Sequence, residues 1–143
     1  MQRFATIIDL HAILTIARGE VLLGERTNTG WRDGYFGLPS GHLEDGESAS
    51  AGIIREVHEE VGVTLAPGSL TLVHVMHHRT TAGRLALFYL ASAWQGDVVN
   101  REPDKCAGWF FFNSARLPDQ VVPYIDDALR SWRAGTFFSE QGW

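Results

Sequence analysis

A cluster of glutamates in the first half of the chain has the residue types and spacing to bind a divalent cation. Glu56, Glu59 and Glu60 fall at positions i, i+3 and i+4, so a helix would place their carboxylates close together. Like charges at this spacing repel each other unless a cation compensates them. Because hard divalent cations prefer oxygen ligands, the cluster predicts a metal site.

The glutamates belong to a longer pattern that covers residues 41–63, GHLEDGESASAGIIREVHEEVGV. This segment resembles the Nudix box, G-x5-E-x7-R-E-U-x-E-E-x-G-U, in which U is an aliphatic residue. The residues that fill the pattern are Gly41, Glu47, Arg55, Glu56, Val57, Glu59, Glu60, Gly62 and Val63. At average residue usage, a chance match at one starting point is on the order of one in a billion. The chain is therefore identified as a member of the Nudix hydrolase family by resemblance.

The resemblance implies a metal site for Mg²⁺ or Mn²⁺ that includes four residues of the box. Glu59 and Glu60 correspond to the principal ligands, and the backbone carbonyl of Gly41 to an additional one. Glu56 corresponds either to a further ligand or to the general base that activates water. Nudix enzymes differ in which glutamate acts as the base, so the choice among the glutamates stays open.

The same resemblance implies positioning roles for the other residues of the box. Arg55 would pair with a carboxylate and orient it, and it joins Glu56 and Glu59 in the implied catalytic set. Glu47 would tie the loop to the helix, and Gly62 would end the helix.

A second segment, residues 100–109 (NREPDKCAGW), points to a branch of the family. Together with residues 41–44, it resembles small nucleoside triphosphate pyrophosphohydrolases, which include mutT-like sanitising enzymes and plant dihydroneopterin triphosphate pyrophosphatases. Within this branch Glu102 would be an extra metal ligand or a base from outside the box; the alternative is an ordinary loop carboxylate. One departure is Ser40, which replaces the first of two adjacent glycines that are commoner before the box.

The implied activity is the metal-dependent hydrolysis of a phosphoanhydride bond in a nucleoside diphosphate-linked substrate. The compact chain favours a (d)NTP or an oxidised or modified NTP, which would give a nucleoside monophosphate and pyrophosphate. Nucleotide sugars, ADP-ribose and dihydroneopterin triphosphate are the alternative substrates. A noncatalytic nucleotide-binding module is the alternative from another class, and the intact Glu56, Glu59 and Glu60 argue against it.

Residues outside the box supply candidates for substrate binding, although each also has an ordinary interpretation as a core aromatic or a solvated charge. The aromatic candidates for stacking on a base are Trp31, Tyr35, Phe36 and Phe88. The acidic candidates for contacting a base edge are Asp33 and Asp104. The basic candidates for contacting phosphates are Arg26, Arg79, Arg84 and Lys105. His74, His77 and His78 lack a second group of histidines or cysteines, so the sequence does not predict a zinc site.

Composition narrows the class of protein and its surroundings. The 143 residues predict a single domain, residues 1–143, and the formal net charge of −5 argues against binding of polymeric nucleic acid. The apolar stretch 4–17 is too short to span a bilayer and is interpreted as a core strand, so we expect neither a membrane span nor a signal peptide. The single cysteine, Cys106, favours the reducing cytoplasm. Apolar residues near the C-terminus, among them Phe137, Phe138 and Trp143, pack either on this domain or on a second subunit, and we favour a homodimer.

Hydrophobic periodicity predicts the elements that must position these residues. The predicted strands are residues 5–17, 20–26, 69–78, 84–94 and 107–112, and the predicted helices are residues 48–61 and 121–133. Ser48 is the predicted N-cap of the first helix, and residues 27–37 are predicted to be a loop. A mixed sheet covered by helices on both sides makes the class α/β or α+β. The resemblance implies the Nudix α/β/α sandwich, in which the box is a loop-helix-loop element and a second helix is C-terminal.

Overall fold

The computed structural model describes all residues from Met1 to Trp143 and contains a mixed eight-stranded sheet and two α-helices. The strands are β1 (Ile7–Ile16), β2 (Glu20–Arg26), β3 (Phe36–Gly37), β4 (Ser40–His42), β5 (Thr71–Arg79), β6 (Gly83–Ala91), β7 (Cys106–Asn113) and β8 (Phe138–Gln141). The helices are α1 (Ala49–Val61) and α2 (Pro123–Arg133), and Pro67–Ser69 form one 3₁₀ turn. The predicted fold class, a mixed sheet with two helices, is confirmed.

Strand β1 is the centre of the sheet, whose order is β3-β2-β1-β6-β5-β8. It runs parallel to β6 along residues 7–14 and antiparallel to β2 only at Thr15 and Ile16. The other half of β1 pairs with β4 instead, with Leu10 opposite Gly41. Strand β7 pairs with β2, and β8 lies parallel to β5. Because β4 takes the place of β2 as the neighbour of this half of β1, the start of the box lies next to the middle of the sheet.

Each helix covers one face of the sheet because the strand residues alternate between two buried clusters. Helix α1 contributes Ile53, Val57 and Val61 to a cluster that includes Leu10 and Leu14 of β1. Helix α2 contributes Ile125, Ala128 and Leu129 to the cluster on the opposite face. These side chains pack with the strand residues Ile13, Met76 and Phe88. The resulting α/β/α layers are the architecture that the resemblance implied.

Both ends of α1 agree with the prediction. The Ser48 hydroxyl oxygen accepts a hydrogen bond from the backbone N–H of Ala51, which caps the N-terminus. Gly62 follows the last turn in the left-handed conformation at φ +77°, and its N–H donates to the carbonyl oxygen of His58. The four-residue spacing of the apolar side chains therefore located this helix correctly.

Three short strands and one strand end differ from the prediction. Strands β3 and β4 lie in and just after the predicted loop 27–37, and β8 lies beyond the second predicted helix. Each has four residues or fewer, so a period-two pattern has no length in which to emerge. Strand β6 ends at Ala91 rather than at residue 94. Neither helix is long and apolar enough to cross a membrane.

Gly62→Ala should destabilise the fold more than Gly135→Ala, although both glycines have a positive φ, +77° and +75°. An alanine in this conformation costs about 1–2 kcal/mol at either position. A Cβ at Gly62 would also come within 2.5 Å of Cγ2 of Val99, whereas nothing lies within 4 Å at Gly135. Urea unfolding of both variants measures the difference, for which we expect an extra loss of about 1 kcal/mol or more. Equal losses would show that the packing of Gly62 against Val99 contributes nothing.

Candidate active site

The start of the box opens onto a cleft of about 750 Å³. Its acidic wall contains Glu56 and Glu60 from α1 and Glu102 from the segment before β7. The other lining residues come from the strands, from the loops between them and from α2, and they include Asp9, His11, Arg26, Trp31, Ser40, Gly41, His42, His78, Arg84, Lys105, Trp109 and Tyr124. The cleft thus combines carboxylates, basic side chains and flat aromatic rings in one space.

Arg55 holds the loop of the box against helix α1. Its Nε and Nη2 atoms donate to the two carboxylate oxygens of Glu47 at 3.0 and 2.7 Å, a bidentate pair. Its Nη1 atom donates to Oε1 of Glu56 at 2.8 Å and to Oε2 of Glu59 at 3.4 Å. Glu47 also accepts a hydrogen bond from the backbone N–H of Glu44 at 2.9 Å. The arrangement has the contacts that a residue orienting a carboxylate requires, and the assignment of Arg55 to catalysis stays a prediction.

The ion pair between Arg55 and Glu47 shifts the pKa values of both groups. The hydrogen bonds from Arg55, followed by the backbone hydrogen bond, lower the pKa of Glu47 to about 2. The hydrogen bonds to Glu47 raise the pKa of Arg55 further above its ordinary value. Both side chains are therefore charged across the physiological pH range, and the loop stays attached to the helix.

The pKa of Glu60 is shifted in the opposite direction from that of Glu47. The desolvation that accompanies its burial raises its pKa well above the ordinary value, and the negative charges of Glu56, Glu102 and Glu59 raise it further. One hydrogen bond, donated by the backbone N–H of Ser40 to Oε2 at 3.1 Å, opposes this shift. No lysine or arginine forms an ion pair with Glu60. A charged Glu60 therefore needs a cation that the chain itself does not supply.

The pKa of Glu56 is affected both by burial and by an ion pair, and it is raised less than the pKa of Glu60. Burial is the largest influence on its pKa and raises it, and the charges of Glu59 and Glu102 add to this increase. The ion pair with Arg55 acts in the other direction. Gly41 lies directly against the carboxylate of Glu56, because a Cβ at Gly41 would overlap that group. Only glycine leaves room for this side chain beside β4.

The residues present fit a divalent cation in their chemistry. Glu56, Glu60, Glu102 and Gly41 line the same cleft, and carboxylate and carbonyl oxygens are the ligands that Mg²⁺ and Mn²⁺ prefer. Burial and then the repulsion between carboxylates raise the pKa of Glu60, and a cation between them would offset both effects. As the side chains stand, no three His, Cys, Asp or Glu residues form a group compact enough to hold a metal ion. Metal binding therefore requires the carboxylates to turn toward one another.

Glu59 differs from the other two helix glutamates in its surroundings. Its side chain is 52% exposed, and it does not line the cleft, whereas Glu56 and Glu60 do. The helical positions i and i+4 place Glu56 and Glu60 on the same side, and Glu59 lies toward Arg55 at the edge of that side. Glu60, in contrast, is partly buried and accepts a hydrogen bond from the backbone N–H of Ser40.

Glu102 reaches the cleft through a short turn held by Asn100. The Asn100 side-chain oxygen accepts from the N–H of Glu102 at 3.2 Å, and its amide donates to the carbonyl of Cys106 at 2.7 Å. The backbone N–H groups of Lys105 and Cys106 both donate to the carbonyl of Glu102. The motif around residue 102 thus fixes the backbone from which this carboxylate enters the cleft.

The structure places only some of the candidate substrate-binding residues at the cleft. Trp31 lines the cleft, where Arg26 lies 5.0 Å from its ring centre. Three of the basic candidates also line the cleft: Arg26, Arg84 and Lys105. The remaining candidates are not among the lining residues: Tyr35, Phe36, Phe88, Asp33, Arg79 and Asp104. Tyr35 and Phe36 pack against the α2 side of the core, and the side chain of Arg79 lies over the ring of Trp143. Asp104 is exposed, and its carbonyl accepts from Asn28.

A group of polar residues on the far side of the cleft was absent from the sequence prediction. Asp9 and His11 of β1, His78 of β5 and Tyr124 of α2 all line the cleft and are largely buried. Polar side chains at positions 9 and 11 interrupt an otherwise apolar strand, and this interruption is the sequence signal that would have identified them. The sequence indicated Arg84 only as a candidate for contacting phosphates.

Comparison with known proteins agrees with the fold. A family model, described as the NUDIX domain, matches residues 8–132, which is most of the chain. The chain therefore belongs to the Nudix family and is a Nudix hydrolase, and enzymes of this family generally require divalent metal ions.

Two relatives and two solved structures illustrate the similarity. An 8-oxo-dGTP diphosphatase from Proteus vulgaris is 25% identical over 83 residues, which cover 57% of this chain and 72% of that protein. An ADP-ribose pyrophosphatase from Methanocaldococcus jannaschii is 28% identical over 118 residues, covering 81% and 69%. A MutT NUDIX hydrolase from Burkholderia pseudomallei superposes with a TM-score of 0.80 at 27% identity, covering 89% and 98% of the two chains. A MutT protein from Methanosarcina mazei has a TM-score of 0.79 at 22% identity, covering 94% and 97%, and shares the fold.

Glu47→Gln should remove a stabilising contribution that depends on pH. The pKa of Glu47 is about 2 in the folded chain and about 4.5 as a free side chain, so the contribution is present above pH 4.5 and is lost as the pH falls toward 2. Urea unfolding midpoints of both proteins between pH 6 and pH 2.5 test this. The wild type should be the more stable protein near pH 6, and the difference should shrink toward acid. A difference that stays constant with pH would contradict the ion-pair account.

Proposed function

We propose that the protein is a Mg²⁺- or Mn²⁺-dependent pyrophosphohydrolase of small nucleotides. It would hydrolyse a phosphoanhydride bond in a nucleoside diphosphate-linked substrate. A (d)NTP, or an oxidised or modified NTP, is the proposed substrate, and a nucleoside monophosphate and pyrophosphate are the products.

The single observation that carries this proposal is the uncompensated acidic wall of the cleft. Glu60 is desolvated beside Glu56 and Glu102, and no lysine or arginine pairs with it or with Glu102. Such a wall disfavours an anionic nucleotide by itself, whereas a divalent cation bound there would reverse the local charge. The same cleft holds Arg26 and Lys105, which suit phosphates, and Trp31, which suits a base.

Each proposed residue contributes to hydrolysis in a distinct way. A bound cation would neutralise phosphate charge and lower the pKa of water, which favours attack on phosphorus. Glu56, Glu60, Glu102 and the Gly41 carbonyl would hold the cation, with Glu59 as a ligand that turns in from the edge. Arg55 would keep Glu56 and Glu59 oriented through its hydrogen bonds. The general base is one of the box glutamates, and Glu56 is our proposed choice because its pKa is raised while Arg55 fixes its position. If Glu56 is the base, the other residues named here hold the cation without it.

The similar proteins support the reaction class and leave two kinds of substrate in competition. Relatives named 8-oxo-dGTP diphosphatase favour a triphosphate, and the relative named ADP-ribose pyrophosphatase matches more of this chain. ADP-ribose, nucleotide sugars and dihydroneopterin triphosphate therefore remain the alternative substrates. The noncatalytic nucleotide-binding module is the alternative outside the enzyme class.

We also propose a cytoplasmic location, from the single cysteine, and retain the homodimer as a proposal. Some of the C-terminal aromatic residues pack on this domain, and others are exposed and available to a second subunit. The Nε1 atom of Trp143 donates to the carbonyl of His77 at 3.0 Å, so this residue packs on its own domain. Phe137 and Phe138 remain more than half exposed and are the residues available to a second subunit.

A substrate panel with Mg²⁺ or Mn²⁺ and separate detection of pyrophosphate and orthophosphate tests the proposal. The panel contains unmodified and oxidised NTPs, dihydroneopterin triphosphate, nucleotide sugars and ADP-ribose. We expect pyrophosphate from at least one triphosphate and no reaction after chelation of the metal. Orthophosphate that appears only after added phosphatase would replace the triphosphate with a nucleotide sugar or ADP-ribose. Binding without turnover across the panel would favour the noncatalytic module.

A further inference from the structure

The far side of the cleft contains a compact polar network built from four elements. Oδ2 of Asp9 accepts a hydrogen bond from Nε2 of His78 at 3.2 Å, and Nε of Arg84 lies 3.0 Å from the same oxygen. The second contact is an ion pair without hydrogen-bond alignment. Nη2 of Arg84 lies 2.8 Å from Nε2 of His42. All four residues line the cleft, and none of them belongs to the acidic wall.

The network leaves a guanidinium group with a free edge. A guanidinium can only donate, so Nε2 of His42 is the acceptor in its contact with Arg84. Nη1 of Arg84 makes no hydrogen bond with the protein, and the side chain is 24% exposed. Asp9, with 7% of its surface exposed, lies against Nε of Arg84, and its Oδ1 atom lies 3.5 Å from Nε2 of His42, so both partners contact the same edge of the guanidinium. Arg84 is therefore held along one edge, and Nη1 is left as a donor for a ligand.

The charge around Arg84 and the aromatic rings beside it favour a flat, neutral group over a phosphate. Asp9 offsets the charge of Arg84, and burial lowers the pKa of His11 to about 4, so that His11 is neutral at pH 7. Tyr124 and His78 stack with ring centres 4.4 Å apart, and His11 stacks on Phe88 at 4.4 Å. Aromatic side chains therefore line this part of the cleft, and its net charge is near zero. A phosphate would be better served by unpaired basic groups.

We propose that this network is a recognition subsite for a carbonyl-bearing heterocyclic base, in which Arg84 donates to the carbonyl oxygen and Asp9 is a positioning residue for Arg84. The inference rests on the proposed function, because it assigns the base of the nucleotide to one part of the cleft. It predicts a preference for bases with a ring carbonyl. A site built to donate to an oxygen rejects an analogue that presents an amino group there, since both groups are then donors.

ITP and ATP provide the test, because they carry a 6-oxo and a 6-amino group on the same purine ring. Equilibrium binding is measured by calorimetry with Ca²⁺ in place of Mg²⁺, so that the result does not depend on turnover. The affinity of the wild type for ITP should be at least about tenfold higher than its affinity for ATP. Arg84→Met should remove this preference, and it should leave the affinity for inorganic tripolyphosphate, which has no base, unchanged.

Asp9→Asn tests the positioning role, and Arg130→Met is the matched control for Arg84→Met. Arg130 also pairs with an aspartate, Asp126 at 2.9 Å, but it lies on the exposed side of α2. Asp9→Asn should reduce the ratio of ITP to ATP affinity and add little to Arg84→Met in the double variant, whereas the control should keep the wild-type ratio. Thermal unfolding of each variant separates a change in this ratio from loss of the fold, because general destabilisation weakens binding of both nucleotides alike.

Three results would overturn the subsite. Equal affinity of the wild type for ITP and ATP is the first. A loss of tripolyphosphate affinity in Arg84→Met equal to the loss of ITP affinity is the second, and it would make Arg84 a phosphate contact. A preference for ITP that survives in Arg84→Met is the third. If the wild type shows the preference but hydrolyses nothing in the substrate panel, the subsite stands and the proposed hydrolysis is wrong.

Discussion

Mutual repulsion among the carboxylates of one cleft is the constraint on which the rest of this structure depends. Glu56, Glu60 and Glu102 come from two separate segments. The charges of Glu56 and Glu102 raise the cost of ionising Glu60, and the charge of Glu102 also raises the cost of ionising Glu56. Arg55 compensates Glu56 and the loop residue Glu47, but it makes no contact with Glu60 or Glu102. A chain that keeps such a group desolvated therefore binds a cation there or keeps a proton on the glutamate.

The rest of the box serves to hold this group in place. The ion pair of Arg55 with Glu47 fixes the loop, and the capped ends of α1 fix the length of the helix. The buried face of α1 orients the helix on the sheet, so Glu56 and Glu60 face the cleft. Gly41 allows β4 to approach the carboxylate of Glu56 without a clash. The packing of the core and the position of the carboxylates are thus two consequences of the same residues.

The sequence predicted the parts of the molecule that local spacing controls. Helix α1, its caps and the glutamates on it follow from residues fewer than five positions apart, and the resemblance of the box added their chemical meaning. The network on the far side of the cleft could not be predicted in this way. Asp9 and His78 are 69 residues apart, and they meet because β6 joins β1 on one side and β5 on the other. Strand β8 likewise depends on its partner β5 rather than on its own residues.

The most direct test of the account is a Mn²⁺ titration followed by water proton relaxation, with wild type, Glu60→Gln and the exposed Glu140→Gln as control. Glutamine keeps the size of the side chain and removes the charge that requires a cation. We predict that wild type and Glu140→Gln bind Mn²⁺ alike, and that Glu60→Gln binds it at least about tenfold more weakly while remaining folded. Equal affinity in all three proteins, or no binding by the wild type, would contradict the assignment of the acidic wall as a metal site.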